Sequence, residues 1–205
     1  MKILTPFCVM SFCLLVAAVA VPDPVVTAAG AKAKPVQEDW PDWRGVRRDG
    51  ISHQTGLSLD WTSGKPKRLW QRELGTGYSS MTVVGDRLFT MGAEQDAEYV
   101  YCLDATDGST LWKVHSGTTF KNSYGDGPRS TPIIEGERVY ALGANGDLLC
   151  LAAKSGEVAW QTNILKQFGG KNITWGVSTT PLIDGKKLVI NVGAKQASVV
   201  AFDKT

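Results

Sequence analysis

The sequence predicts an all-β fold built from repeated four-stranded antiparallel units, and three observations support this prediction. First, the stretches SMTVVGDRLFT (80–90), TPIIEGERVYA (131–141) and TPLIDGKKLVI (180–190) each place a glycine turn between two apolar runs. Second, the turn glycines lie 51 and 49 residues apart, which is the spacing of a tandem repeat. Third, a further pair of apolar runs follows, VYCLDATDGSTLW at 100–112 and LLCLAAKSGEVAW at 148–160.

Four strands are predicted in each unit. One leads up to the glycine and a second runs away from it, because a turn residue that tolerates positive φ between β-prone flanks predicts a hairpin. A third strand contains the cysteine and a fourth contains the tryptophan. Tandem units of about 45–50 residues with four strands are typical of β-propeller blades, which bury their faces against one another. The predicted partial propeller covers residues 68–205, with about three blades at 75–115, 125–163 and a truncated 175–205.

Two kinds of side chain recur at fixed places in the units. Trp70, Trp112 and Trp160 close successive units, and we expect them to fill the gaps between blades. Cys102 and Cys150 are equivalent to each other. Equivalent positions in stacked sheets lie about 10 Å apart, which exceeds the ~7 Å between Cα atoms that a disulfide can span. Both cysteines are therefore predicted to be buried free thiols.

The N-terminal region is predicted to lie outside the propeller. Residues 1–31 are interpreted as an export signal, because Lys2 precedes an apolar run and small-x-small cleavage patterns end at 20 and 31. An uncleaved membrane anchor is the alternative; after cleavage no stable membrane span is expected. Residues 32–39 are interpreted as a linker and 40–67 as an N-terminal arm.

The arm begins WPDWRGVRRDGIS, which allows two hypotheses. It is either a recognition arm, since aromatic and arginine residues are common anchors of interfaces, or an arm packed across the propeller. The second hypothesis, which we favour, predicts buried tryptophans and an ion pair between Arg44 and a carboxylate.

Composition and motifs exclude several classes of function. The net charge of +2, from 22 basic and 20 acidic residues, gives no strong field for nucleic acid or an anionic membrane. The two histidines, His53 and His115, are far apart, and no cluster has the spacing of metal ligands. No nucleophile elbow or phosphate-binding loop is present. We therefore predict no catalytic or metal-binding residue.

The candidate binding residues precede the first strand of each unit, where loops should converge on the mouth of the central channel. Tyr78, Arg129 and Ser178 are equivalent to one another, as are Asp126 and Trp175. Asp126 and Arg129 either orient a polar ligand or pin their loop, as an ion pair or an Asx-type turn. Trp175 either stacks on a planar ligand or packs between blades. The predicted ligand-binding set is Tyr78, Tyr124, Asp126, Arg129, Trp175 and Ser178.

The stretches ALGANGDLLCLAAKSGEVAW and YVYCLDATDGSTLWK resemble the pyrroloquinoline-quinone (PQQ)-type propeller repeat, whose tail is Ala-x-x-x-Gly-x-x-x-Trp. The leader from Trp40 to Ser52 is similar to the start of large exported bacterial propellers with this repeat. The resemblance covers about residues 40–205 and implies about seven or eight blades in a complete ring. The chain is therefore interpreted as an N-terminal fragment, with the remaining blades of its own protein as partners. We expect its open faces and edges to make it marginally stable alone.

The resemblance implies two functions, because this repeat occurs in non-catalytic scaffolds and in quinoprotein dehydrogenases. The favoured hypothesis is an exported scaffold, periplasmic or extracellular, that binds a protein or glycan without a cofactor. It resembles the scaffold propeller of outer-membrane protein assembly in repeat type only. The alternative is a PQQ-dependent oxidoreductase, for which the resemblance implies a tryptophan floor, adjacent cysteines and a Ca²⁺ site. The sequence has no adjacent cysteines, so C-terminal blades would have to complete that site.

Overall fold

The structure is a computed structural model that describes residues 38–57, 60–62 and 64–205. The predicted signal at 1–31 and its cleavage sites lie outside the described residues, as does most of the predicted linker. None of the helices in the described ranges is long and apolar enough to cross a lipid bilayer.

The described strands form three antiparallel sheets, and the strands of each sheet are neighbours in chain order. Blade 1 consists of β1 (Thr82–Val84), β2 (Arg87–Glu94), β3 (Ala97–Asp104) and β4 (Thr110–Thr118). Blade 2 consists of β5 (Ile133–Glu135), β6 (Arg138–Leu142), β7 (Asp147–Ala152) and β8 (Val158–Asn163). Blade 3 consists of β9 (Leu182–Asp184), β10 (Lys187–Ala194) and β11 (Ala197–Asp203). The predicted fold class, a partial propeller of four-stranded antiparallel blades, is confirmed.

The first hairpins of the three blades share one register. Gly85, Gly136 and Gly185 have φ values of 59°, 58° and 57°, in the left-handed region that glycine adopts without strain. In blade 1, Thr82 pairs with Phe89 across this turn. The equivalent residues pair in blades 2 and 3. The repeat in the sequence is therefore a repeat of backbone geometry.

Apolar side chains from facing blades form two cores. The core between blades 1 and 2 contains Phe89, Met91, Val100, Cys102 and Trp112 from one side and Ile134, Val139, Ala141, Leu149 and Leu151 from the other. The core between blades 2 and 3 includes Tyr140, Leu148 and Cys150 against Leu188, Ile190 and Val192. The two cysteines thus lie in different cores, and both are buried and free. Burial raises the pKa of Cys102 to about 11.

The blade tryptophans contact the following blade. The indole N–H of Trp112 donates to the carbonyl of Ala153 at 3.0 Å. Its ring lies against Gly156, where a Cβ atom would come within 2.8 Å of the ring. Trp70 makes the same contacts with the equivalent residues of blade 1. Trp160 is half-buried against the core between blades 2 and 3. The glycine of the repeat thus receives a tryptophan from the preceding unit and not from its own.

A short helix, α1 (Ile164–Phe168), begins the segment from Ile164 to Trp175, which is longer than a tight turn. Asn163 caps it by accepting a backbone N–H of the first turn at 2.9 Å, and Gly169 ends it with φ 65°. Ile164 and Leu165 are buried in the core between blades 2 and 3. This tertiary burial stabilises a helix that is too short to persist by local propensity alone.

Candidate functional site

The N-terminal arm lies against the first strand of every blade. Its contacts are the backbone pairing of Trp40 with Val83, a bond from the Ile134 N–H to the Pro41 carbonyl (2.9 Å) and a bond from the Arg48 guanidinium to the Ile183 carbonyl (3.1 Å). The three blade residues are equivalent positions in β1, β5 and β9. The arm therefore covers edges of the sheets that would otherwise present unpaired backbone groups.

Ion pairs hold the turn of the arm. Arg47 pairs with Glu38 at 2.9 Å, and Arg48 pairs with Asp42 at 3.2 Å. Arg48 has φ 56°, a left-handed conformation that costs a non-glycine residue roughly 1–2 kcal/mol. The contacts of its side chain with Asp42 and with blade 3 offset this strain and fix the arm in place.

Two details of the predicted arm packing were wrong. Arg44 donates to the carbonyl of Asp49 at 3.1 Å, and no carboxylate in the described ranges pairs with it. The nearby carboxylates are already engaged, because Asp42 pairs with Arg48 and Glu38 with Arg47. Of the two tryptophans in the leader from Trp40 to Ser52, Trp40 is half-buried, whereas 57% of Trp43 is exposed.

The structure brings Tyr78, Arg129 and Ser178 together, and they line a common cavity. The guanidinium of Arg129 lies over the rings of Tyr78 and Phe120, at 4.7 and 5.0 Å from their centroids. It donates to the carbonyl of Trp175 at 3.1 Å. Arg129 thus connects the loop before blade 2 to the loop before blade 3.

Asp126 and Arg129 do not form the predicted ion pair. Arg129 donates instead to the carbonyls of Gly125 and Gly127, both at 2.6 Å, because the positive φ angles of these glycines turn their carbonyls toward it. Asp126 accepts the backbone N–H of Asn122 at 2.9 Å, and this bond holds the pKa of its carboxyl below the ordinary value. Both side chains pin the loop, but through different partners.

Four exposed side chains form a surface that we call the aromatic ledge: Tyr78, Tyr124, Ile173 and Trp175. The rings of Tyr124 and Trp175 are 4.8 Å apart between centroids, and 72% and 51% of these residues are exposed. The Tyr78 hydroxyl donates to the Tyr124 carbonyl. Trp175 therefore packs on a loop of the preceding blade and leaves much of its ring open to solvent.

The loops that precede the first strand of each blade are called the mouth loops here. A cavity of about 600 Å³ lies between them and the arm, and we call it the arm cavity. The arm lines it with Asp42, Trp43, Arg44 and Arg48. The mouth loops line it with Tyr78, Arg129, Thr131 and residues 178–182. Sequence reasoning identified Tyr78, Arg129 and Ser178, but it did not place the arm over them.

Sequence reasoning also missed Glu98, which is 1% exposed. Its carboxylate accepts the backbone N–H groups of Phe120 at 3.1 Å and Ala144 at 3.2 Å, so it joins blade 1 to the mouth loop and to blade 2. Burial raises its pKa. The signal was present in the repeat, because the equivalent positions hold the small residues Gly146 and Ala197.

The described residues do not supply the parts of a quinone–calcium site. Within them, no three histidine, cysteine, aspartate or glutamate side chains are grouped to hold a metal ion. Cys102 and Cys150 are buried in separate cores, and Trp175 already has Tyr124 packed against its ring. The oxidoreductase alternative therefore stays a prediction that depends on further blades.

A protein-family model described as "Outer membrane protein assembly factor BamB" matches residues 59–205, which is well over half of the chain. The chain belongs to this family. A search of the curated proteins found no match.

Three solved structures are similar to part of the chain, and one of them reaches a TM-score of 0.50. BamB from Moraxella catarrhalis has a TM-score of 0.50 and 17% identity over 66% of this chain and 40% of its own. Quinohemoprotein alcohol dehydrogenase ADHIIG from Pseudomonas putida HK5 has a TM-score of 0.47 and 22% identity, over 66% of this chain and 20% of its own. The quinohemoprotein alcohol dehydrogenase from Comamonas testosteroni has a TM-score of 0.45 and 18% identity, over 66% of this chain and 20% of its own. The chain thus spans between one fifth and two fifths of the length of these proteins.

Proposed function

We propose that this chain is part of an exported, non-catalytic scaffold that binds another protein at its channel mouth. The observation that carries the proposal is the aromatic ledge, with Tyr124 and Trp175 largely exposed beside Tyr78 and Ile173. Tyrosine and tryptophan are enriched among the residues that contribute most to binding energy at interfaces. Contiguous exposed apolar surface of this kind marks interaction sites in soluble proteins. Membership of a family described as an assembly factor favours a protein over a glycan as the partner.

The ledge is preorganised. Arg129 binds three carbonyls around it, and the Asn122 side chain donates to the Thr174 carbonyl at 2.7 Å. The Tyr78–Tyr124 hydrogen bond adds a further link between successive mouth loops. Because the loops are already ordered, binding would lose little conformational entropy, which favours affinity.

Export is part of the same proposal. It rests on the signal pattern at 1–31 and on the family to which the chain belongs. Expression of the intact chain in a Gram-negative host should give a product shortened to a new N-terminus near 21 or 32 and released with the periplasmic fraction. Full-length chain retained in the cytoplasm would count against export.

The test of partner binding is site-specific photo-crosslinking in cells. A benzophenone amino acid replaces Trp175 in the ledge or, as the control, the exposed Glu157 in the β7–β8 turn at the other end of blade 2. We expect position 175 to give one defined adduct with an envelope protein that position 157 does not give. Adding Tyr124→Ala should weaken the adduct about tenfold, the size of effect that separates hot-spot residues from their neighbours.

Two results would refute the proposed scaffold function. Equal adducts from positions 175 and 157 would show unspecific contact, and no adduct at 175 would show that the ledge has no partner. The oxidoreductase alternative has its own assay, in which PQQ and Ca²⁺ are titrated while tryptophan fluorescence and melting temperature are read. Saturable quenching with a Ca²⁺-dependent rise in melting temperature would favour it.

A further inference from the structure

We propose that the arm cavity binds an acidic saccharide, a sugar ring that carries a carboxylate or a sulfate. The cavity has a volume of about 600 Å³, which is within the usual range for small-molecule sites. Its walls come from two separate parts of the chain, the arm and the mouth loops. The proposal concerns a small ligand in the arm cavity and not the protein partner of the aromatic ledge, although Tyr78 contributes to both surfaces.

The charge of the lining indicates an anion. Arg44, Arg48 and Arg129 line the cavity against a single carboxylate, Asp42. Asp42 is paired with Arg48 at 3.2 Å, so the charges of Arg44 and Arg129 are left uncompensated within the lining. The Arg44 guanidinium makes one described hydrogen bond, to the Asp49 carbonyl, which leaves further N–H groups for a ligand. The planar fork of arginine matches the oxygens of a carboxylate or sulfate group.

Aromatic and hydroxyl groups in the same lining indicate a sugar ring. Trp43 and Tyr78 are 57% and 58% exposed, and an aromatic face is a good surface for the C–H face of a pyranose. Ser178, Thr179 and Thr180 contribute three hydroxyl-bearing residues to the same lining. Hydroxyls both donate and accept hydrogen bonds, as sugar hydroxyls require of a partner.

The remaining contacts argue against an extended peptide. A peptide that adds a strand needs a free sheet edge. The arm already pairs with β1 through Trp40 and with β5 through Pro41. The left-handed Arg48, held by Asp42 and the Ile183 carbonyl, keeps the arm over these edges. The edges of β1 and β5 beside the cavity are therefore closed to strand addition, which favours a compact ligand.

The test is titration calorimetry on the purified chain, with glucuronate, glucose 6-sulfate, glucose, inorganic sulfate and tetraglutamate as probes. We expect glucuronate and glucose 6-sulfate to bind saturably and to weaken as salt is added. Whichever of these two binds more tightly distinguishes a carboxylate from a sulfate as the anionic group. Glucose and inorganic sulfate should bind at least tenfold more weakly, because glucose lacks the anionic group and inorganic sulfate lacks the sugar ring.

Variants connect binding to the cavity. Arg44→Gln should weaken glucuronate binding at least tenfold, whereas Arg68→Gln, which changes an exposed arginine outside the cavity, should leave it unchanged. Thr179→Ala is a second, milder cavity variant that should weaken binding without loss of folding. The photo-crosslink at position 175 should survive Arg44→Gln, because the ledge does not include that residue.

Five outcomes would overturn the proposal. Glucose bound as tightly as glucuronate would show that the arginines are not used. Inorganic sulfate bound equally tightly would show a plain anion site, and tighter binding of tetraglutamate would show a peptide site. Absence of binding by both acidic sugars, or equal binding by folded Arg44→Gln, would also refute it.

Discussion

Replacement of Gly156 by alanine tests the contact that joins successive blades. Gly156 has φ 75°, so any other residue there is strained by roughly 1–2 kcal/mol. The new Cβ would also come within 2.8 Å of the Trp112 ring and 3.0 Å of Val114. The ring must then move, which weakens its hydrogen bond to the Ala153 carbonyl, worth about 1 kcal/mol. With the packing lost around a buried ring, the free energy of unfolding should fall by about 2–5 kcal/mol in total.

Gly136→Ala is the matched control. Gly136 lies in the same blade with φ 58°, but a Cβ atom there meets no atom within 4 Å. It should therefore show only the backbone strain, roughly 1–2 kcal/mol. Both variants are measured by urea unfolding followed by tryptophan fluorescence, with a red shift of the native spectrum expected for Gly156→Ala alone. Equal destabilisation of the two variants would refute the view that the glycine of the repeat exists to seat the tryptophan of the preceding blade.

Three further predictions follow from buried or capping groups. Burial raises the pKa of Glu98 above the ordinary 4.5, so the folded chain binds its proton more tightly than the unfolded chain. The free energy of unfolding should therefore fall as pH rises from 4.5 through the raised pKa, and Glu98→Gln should remove that part of the fall in urea titrations at several pH values. Cys102 and Cys150 should not react with a thiol reagent at pH 8 until the chain is unfolded, because both are buried and both pKa values are raised; reaction in the native state would place them elsewhere. Asn163→Ala should destabilise the chain by about 1 kcal/mol through loss of the helix cap, and an unchanged melting temperature would show that the cap contributes nothing.

The hairpins and blades could be predicted from the sequence because their signals are local. Gly85, Gly136 and Gly185 mark turns that need a left-handed residue, and the apolar runs beside them need a buried face. The repeat also indicated which positions are equivalent. It predicted that Tyr78, Arg129 and Ser178 lie near one another, and they line the same cavity in the structure. It did not give the partners of these side chains. An ion pair between Asp126 and Arg129, one of the alternatives that their closeness in sequence allowed, does not form because backbone carbonyls bind the guanidinium.

The contacts between distant parts of the chain were decided only by the tertiary structure. Trp112 and Gly156 belong to different copies of the repeat, and their contact depends on how two blades stack. The arm has no repeat of its own, so nothing in its sequence showed that it contacts β1, β5 and β9 at equivalent positions and roofs a cavity. By itself the sequence determined the blade, because glycine turns and short apolar runs act over a few residues. The contacts between the blades and the arm join residues as far as 135 positions apart in the sequence. Such residues become neighbours only in the folded chain, so their complementary shapes and charges could not be inferred from local patterns.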